Sequence, residues 1–229
     1  MEAKVAQDVT VLPQRMKTPR AAAVAGILFA LLLIGSQVTI WLSIPANPLA
    51  LPAEVSLHAK AITLALDLLP FAGIAFLWFL AVMRDRLGEL EDRFFATVLL
   101  GSGLLYVAMM FTSTGLAGAV VAVLVRNPEA MTDSATYVLG RQEIYRFMSI
   151  FSTKMSAVFM LTSSTIFWRT HILPRPLACL GYVLAGVLLL SIGAIPWIAV
   201  IFPLWVLTIS LYILLEGGKK TTATGVVRP

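Results

Sequence analysis

Charged residues are scarce in this chain, because Asp, Glu, Lys and Arg make up only 13% of its 229 residues while 59% are hydrophobic. The mean hydropathy of +0.90 is higher than a water-soluble domain of this size usually carries. The composition therefore disfavours a soluble protein and indicates an integral membrane protein. The single cysteine, Cys179, excludes an intrachain disulfide and a thiolate metal site.

The signatures of several membrane enzymes are also missing. The sequence has no H-E-x-x-H, no paired aspartate run of the kind that binds magnesium diphosphates, no G-x-S-x-G and no phosphate-binding loop. The two histidines, His58 and His171, are predicted at opposite membrane faces, so they cannot jointly hold a haem. We expect no cofactor and no metal. A catalytic role is disfavoured, with Glu129 and Asp133 as the nearest additional acids for one.

Basic residues gather in short segments between the apolar runs, although the net charge is +5. Twelve of them fall in the two tails and in the second-to-third and fourth-to-fifth connections, against four on the alternate side. This asymmetry is typical of the positive-inside rule and places both termini in the cytoplasm. The same patterning argues against nucleic acid as a partner.

Apolar runs long enough to cross a bilayer, about 20 residues in helical form, recur along the chain. They predict an all-α, polytopic transmembrane helical bundle of six spans, N-in and C-in. The bundle occupies residues 21–216, between cytoplasmic tails at 1–20 and 217–229 that we expect to be disordered. The six runs are 22–44, 61–83, 94–118, 147–168, 177–194 and 197–215.

The third run is longer than a bilayer requires. Residues 94–125 contain no charge and would form a helix of about 48 Å, against a hydrocarbon core of about 30 Å. Either one long helix tilts in the membrane, or residues 116–125 project or fold back as a lid. The outer segment extends over 116–146, and Tyr137 and Tyr145 suggest that part of it lies along the membrane interface.

Two ionisable residues, Asp67 and Lys154, each lie inside an apolar run and about 9 to 10 Å from the start of that run. A charge within hydrocarbon costs about 2.5 to 3.5 kcal/mol, so such residues usually pair or mark a function. Both helices are predicted to enter from the same side. We therefore expect Asp67 and Lys154 to meet as a buried ion pair at one depth.

Two interpretations of this intramembrane pair remain open. In the structural one, the pair fixes how two helices pack. In the functional one, it relays protons or ions, or recognises a polar headgroup. Thr63 lies one turn from Asp67 on the same face, and Pro70 leaves the carbonyl of Leu66 without its helical donor. These groups would form a small oxygen-rich spot beside the acid.

Small residues in two of the runs predict close helix packing. Hydroxyls and glycines at helical spacing let membrane helices approach and form hydrogen bonds. The serines of the fourth run recur at spacings of three, four and seven, on a face from which Lys154 points away. The predicted packing residues are Ser149, Ser152, Ser156 and Ser163, with Gly101 and Gly103 in the third run.

Four stretches carry a resemblance: PFAGIAFLWF from Pro70, RDRLGELEDRFFATVLLGSGLL from Arg84, ILPRPLACLGY from Ile172 and FPLWVL from Phe202. Their order resembles that in a group of small uncharacterised actinobacterial integral membrane proteins. The resemblance implies a multi-pass protein of a bacterial cytoplasmic (inner) membrane and brings no activity or functional residue with it.

Three functions stay open on this sequence. A non-enzymatic accessory, scaffolding or partner-binding membrane component is favoured, with the bilayer and either another membrane protein or a second copy as its partners. A small transporter or ion- or proton-coupled permeation protein using Asp67 and Lys154 is the alternative. An enzyme acting on a lipid or isoprenoid, with Asp67 as its acid, is the third.

Overall fold

The computed structural model describes residues 18–43, 58–88, 93–127, 135–191 and 196–223. All regular structure in these segments is helical, which confirms the all-helical prediction. Residues 1–17, 224–229 and the acids Glu129 and Asp133 lie outside the described residues. The helices are α1 (Thr18–Ser43), α2 (Ala59–Gly88), α3 (Arg93–Arg126), α4 (Ala135–Thr170), α5 (Arg175–Leu190) and α6 (Ile201–Ala223), the last preceded by a 3-10 turn, Pro196–Val200.

Successive helices run in opposite directions, as short connections in a bundle require. Phe29 of α1 stacks on Phe76 of α2 with ring centroids 4.8 Å apart, while Trp41 lies 4.1 Å from Trp197 at the far end of the bundle. Here the near end is the one where α1 begins, and the far end is the one where α1 finishes. Because the described helices alternate, α6 returns to the near end, where α1 starts.

An aromatic cluster holds the middle of the bundle together. Its rings come from five helices and lie 4.6 to 6.3 Å from their neighbours, and all are at least 96% buried. Aromatic pairs at such distances contribute about 0.5 to 1.5 kcal/mol each beyond the area they bury. The cluster thus fixes the relative positions of α1, α2, α3, α4 and α6. Its members are Phe29, Phe76, Tyr106, Phe159 and Phe202.

Five helices are long and apolar enough to cross a bilayer, and the chain is a multi-pass membrane protein on that basis. The prediction of six equivalent spans holds only in part. The fifth, α5, has 16 residues, or about 24 Å, and is shorter than a hydrocarbon core of about 30 Å. Its far end therefore stops at a depth where the other helices are still apolar.

Of the two alternatives for residues 116–125, the structure shows the long helix, because α3 continues as one helix of 34 residues, about 51 Å, to Arg126. The expectation that the following segment lies along the interface is wrong for residues 135–145. This part of α4 stands against α3: the Ser113 hydroxyl donates to the Ile144 carbonyl at 3.2 Å, and Tyr137 is 7% exposed. The two helices extend together beyond the far end as a hairpin.

The helix α4 changes its winding once along its length. Residues Ala135–Tyr145 and Thr153–Thr170 are α-helical, and between them Arg146–Ser152 form a π-helical segment. A π turn widens the helix and shifts the register of its hydrogen bonds, and such turns frequently lie at functional sites. This one carries Ser149 and Ser152 and leads directly into Lys154.

Candidate functional site: Lys154, Asp67 and a polar cavity

Lys154 binds the end of the short helix α5. Its ammonium donates to the backbone carbonyls of Leu188 at 3.1 Å, Leu189 at 2.6 Å and Ser191 at 2.5 Å. The last carbonyls of a helix have no partner within the helix and carry its negative dipole end. Within a bilayer they would cost several kcal/mol if left unsatisfied. Lys154 therefore allows α5 to stop inside the membrane domain, together with the Ser191 hydroxyl, which donates to the Leu188 carbonyl at 2.8 Å.

Asp67, unlike Lys154, lies on the outer surface of the bundle. It is exposed, on a stripe of α2 that faces away from the rest of the bundle. Leu64, Phe71 and Ile74 on the same stripe are 49% to 62% exposed, as expected for side chains that face lipid. Among the described residues no group binds the Asp67 carboxylate.

The predicted buried ion pair between Asp67 and Lys154 is wrong. The two residues do lie at comparable depths, since Asp67 is 17 residues from Arg84 and Lys154 is 15 from Arg169, or about 22 to 26 Å of helix rise. They point in different directions, however. Asp67 faces outward, whereas Lys154 is half-buried between α4 and α5. The described spans thus contain no charged side chain in their buried core.

Thr63 and Pro70 share the outward stripe with Asp67, and all three are exposed. Pro70 stands inside α2 without ending it. The polar residues expected to form a spot beside Asp67 therefore face away from the bundle interior. The charges Lys60 and Arg84 mark the two ends of this span, about 36 Å apart. A core of about 30 Å centred between them places Asp67 about 7 Å inside hydrocarbon.

A small polar cavity lies where α1, α3 and α4 meet in the half of the bundle nearer the far end. Its lining is rich in oxygen atoms, and its volume of about 10 Å³ holds one guest of the size of water. Gln37, which is 5% exposed, has a carbonyl oxygen without a hydrogen-bond partner in the described structure. The lining residues are Gln37, Tyr106, Met148, Ser152, Thr153, Ser156 and Ala199.

The serine stripe of α4 is divided between this cavity and ordinary packing. Ser152 and Ser156 line the cavity, while Ser163 is fully buried and donates to the Met160 carbonyl of its own helix at 3.0 Å. Ser149 lies in the π segment and is half-buried. The sequence pattern therefore located the buried face of α4 but not the polar space on it.

The two glycines of α3 differ. A Cβ at Gly103 would lie 2.9 Å from Leu80 and 3.5 Å from Phe159, so its lack of a side chain permits the close approach of three helices. The packing role predicted for Gly101 is wrong, because nothing lies within 4 Å of a Cβ built there. Gly181 in α5 is the tighter contact: its Cβ would overlap the Ser164 hydroxyl and lie 2.6 Å from the Trp205 ring.

Sequence reasoning missed Gln37 and Tyr106. A signal existed for Gln37, which is the only side-chain amide in the apolar run of α1. No comparable signal marks Tyr106, because tyrosine is common in membrane helices and only the packing of α3 against α1 and α4 brings it to the cavity.

Comparison of this chain with protein-family models, with curated proteins and with solved structures gives no match.

Proposed function

We propose that this protein is a non-enzymatic partner-binding component of a membrane complex, and that its partner docks on the outward stripe of α2. The observation that carries the proposal is Asp67: a carboxylate about 7 Å inside hydrocarbon, exposed and without a partner among the described residues. An acid in this setting costs about 2.5 to 3.5 kcal/mol. A contact supplied by another helix would remove that cost.

The chemistry of the stripe defines the partner. Leu64, Phe71 and Ile74 offer an apolar ridge, and Asp67 and Thr63 offer acceptor oxygens in its middle. The matching surface is a transmembrane helix with small residues for close approach and one Lys, Arg or amide side chain at the depth of Asp67. Such a side chain would be satisfied only by docking.

A second copy of this chain fits the stripe poorly. A two-fold axis along the membrane normal would make the two α2 helices parallel and place Asp67 opposite Asp67, where like charges repel. In the described spans, the basic side chain at this depth is Lys154, which already binds the end of α5. We therefore propose a different protein as the partner.

We also propose a membrane and an orientation for this protein. We place the protein in a bacterial cytoplasmic membrane with both termini inside, since the basic segments gather at the near end of the bundle. The permeation alternative required Asp67 and Lys154 to share a site, which they do not. The enzyme alternative needs a further acid beside Asp67, and its nearest candidates, Glu129 and Asp133, lie outside the described residues.

Photo-crosslinking in cells tests the partner surface. A photoreactive phenylalanine analogue is placed at Phe71, beside Asp67, and as a matched control at Val183 on α5; these side chains are 62% and 63% exposed. We expect a stoichiometric adduct with one integral membrane protein from position 71 and none from position 183. Asp67→Asn should lower the yield of that adduct about five- to tenfold.

Identification of the adduct by mass spectrometry completes the test. The partner should carry a basic or amide residue within its span, and changing that residue to Asp should restore crosslinking to an Asp67→Lys variant. Equal crosslinking from positions 71 and 183, adducts with lipid alone, or adducts only with a second copy of this chain would contradict the proposal.

A further inference from the structure

We infer that the polar cavity between α1, α3 and α4 is a binding site for a dehydrated monovalent cation of the size of Na⁺. This inference is independent of the docking surface on α2, because the two sites share no residue and Gln37 is buried whereas Asp67 is exposed. Either one can therefore fail without the other.

The cavity presents acceptors that the protein itself does not use. The Gln37 carbonyl oxygen is buried and has no partner in the described structure. The Ser156 hydroxyl already donates its proton to the Thr153 carbonyl at 2.8 Å, so only its lone pairs remain for the cavity. A guest must therefore offer positive charge or hydrogen-bond donors to at least two oxygens.

Three hydroxyls complete the set, from Tyr106, Ser152 and Thr153. Each of these residues lines the cavity and is at least 95% buried. Five oxygen-bearing side chains thus line one small space, and oxygen is the ligand atom that hard cations prefer.

The side chains that line the cavity carry no negative charge, which favours a monovalent ion over a divalent one. The cavity lining contains no carboxylate, so a divalent ion would find no compensating charge there. The volume of about 10 Å³ accepts one bare ion and excludes a hydrated one. The π-helical segment of α4 adds to the case, because it contributes Ser152 to the cavity lining and such segments frequently lie at functional sites.

Lys154 is compatible with a cation nearby. It follows Thr153 in sequence, but its ammonium is directed to α5, where three carbonyls and the helix dipole offset its charge. The cavity and the end of α5 are thus two separate groups of oxygen atoms. The oxygens at the end of α5 already bind the Lys154 ammonium.

Thermal unfolding of the purified full-length protein tests the inference. Unfolding midpoints are measured in sodium chloride, potassium chloride and choline chloride at equal ionic strength. Selective binding of Na⁺ should raise the midpoint by about 2 to 4 °C relative to choline once the concentration is about fivefold above Kd. Binding of radioactive sodium to the same sample should saturate at one ion per chain.

Matched variants locate the site. Tyr106→Phe, Thr153→Val and Gln37→Met each remove one oxygen with little change in shape, and each should lower sodium affinity about tenfold or more. Ser163→Ala removes a buried hydroxyl of the same helix that does not line the cavity and should keep the sodium response. Identical midpoints in all three salts without sodium binding would overturn the inference and assign the cavity to water. A sodium response that survives all three substitutions would also overturn it.

Discussion

The far end of α5 and the outward stripe of α2 each involve an ionisable residue at similar depth, but the two residues differ in their partners. Lys154 is half-buried and binds three carbonyls, whereas Asp67 is exposed and binds nothing in the described structure. The first charge is used by the protein itself, because a helix end needs it. The second remains for something outside the chain. Depth in the membrane alone therefore does not distinguish a structural charge from a charge that recognises a partner.

The largest effect is expected from Lys154→Met. This change removes the donor of the Leu189 and Ser191 carbonyls and leaves the Leu188 carbonyl with the Ser191 hydroxyl alone, while keeping most of the side-chain volume. Charge-assisted hydrogen bonds contribute about 1.5 to 3 kcal/mol each when only one partner is removed. Since the carbonyls can find other partners in part, we expect the free energy of unfolding to fall by about 2 to 4 kcal/mol, measured by denaturant titration in detergent micelles.

Lys154→Arg is the control for that change, because it keeps the positive charge and the donors and should lose less than half as much stability. If Lys154→Met unfolds at the wild-type denaturant concentration, Lys154 does not hold α5.

Gly181→Ala should have the next largest effect. It tests whether close packing in the middle of α5 stabilises the protein as well as the Lys154 contacts at its end. A Cβ there would overlap Ser164 and the Trp205 ring, so the helices must separate. Overpacking of this kind costs about 1 to 3 kcal/mol. Gly186→Ala on the same helix is the matched control. It should leave stability unchanged or slightly higher, because nothing lies within 4 Å of that position. Thermal midpoints of the two variants distinguish these outcomes.

The double variant Asp67→Asn with Lys154→Met tests the separation of the two charges. Residues without a shared contact give additive effects within about 0.3 to 0.5 kcal/mol. We therefore expect the double variant to be as unstable as Lys154→Met alone. Recovery of stability in the double variant would show that the residues are coupled after all, as the sequence first suggested.

The smallest effect is expected from Asp67→Asn by itself. An exposed side chain with no partner in the described structure contributes within about 0.5 kcal/mol to the stability of the isolated protein. The unfolding midpoint in detergent should therefore match wild type, while partner crosslinking falls. A loss of more than about 1 kcal/mol in detergent would assign Asp67 a structural role within the chain.

The number and length of apolar runs were readable from the sequence because they depend only on composition. Which side of each helix faces inward was not, and Asp67 shows why. In a soluble helix a polar stripe marks the solvent side, but lipid is as apolar as the interior. The outward residues Leu64 and Phe71 are therefore as hydrophobic as the inward Leu69 and Phe76. Nothing in that pattern reveals that Asp67 points out.

The partners of Lys154 were hidden for a different reason. They are backbone carbonyls, and any sequence provides those. Only the early end of α5 at Leu190 leaves them without helical donors, whereas the apolar run continues to residue 194 and was therefore interpreted as a full span. The cavity was hidden likewise, since Gln37, Tyr106 and Thr153 come together only through packing of three helices.

The hairpin formed by α3 and α4 has a mechanical consequence. The helix α3 exceeds a bilayer core by about 20 Å, and α4 runs from Ala135 through the π segment to the cavity wall without interruption. A molecule that binds the first turns of α4 would therefore be connected through one helix to Ser152 and Thr153. A lateral force on residues 135–145 would change the distances between the oxygen atoms of the cavity.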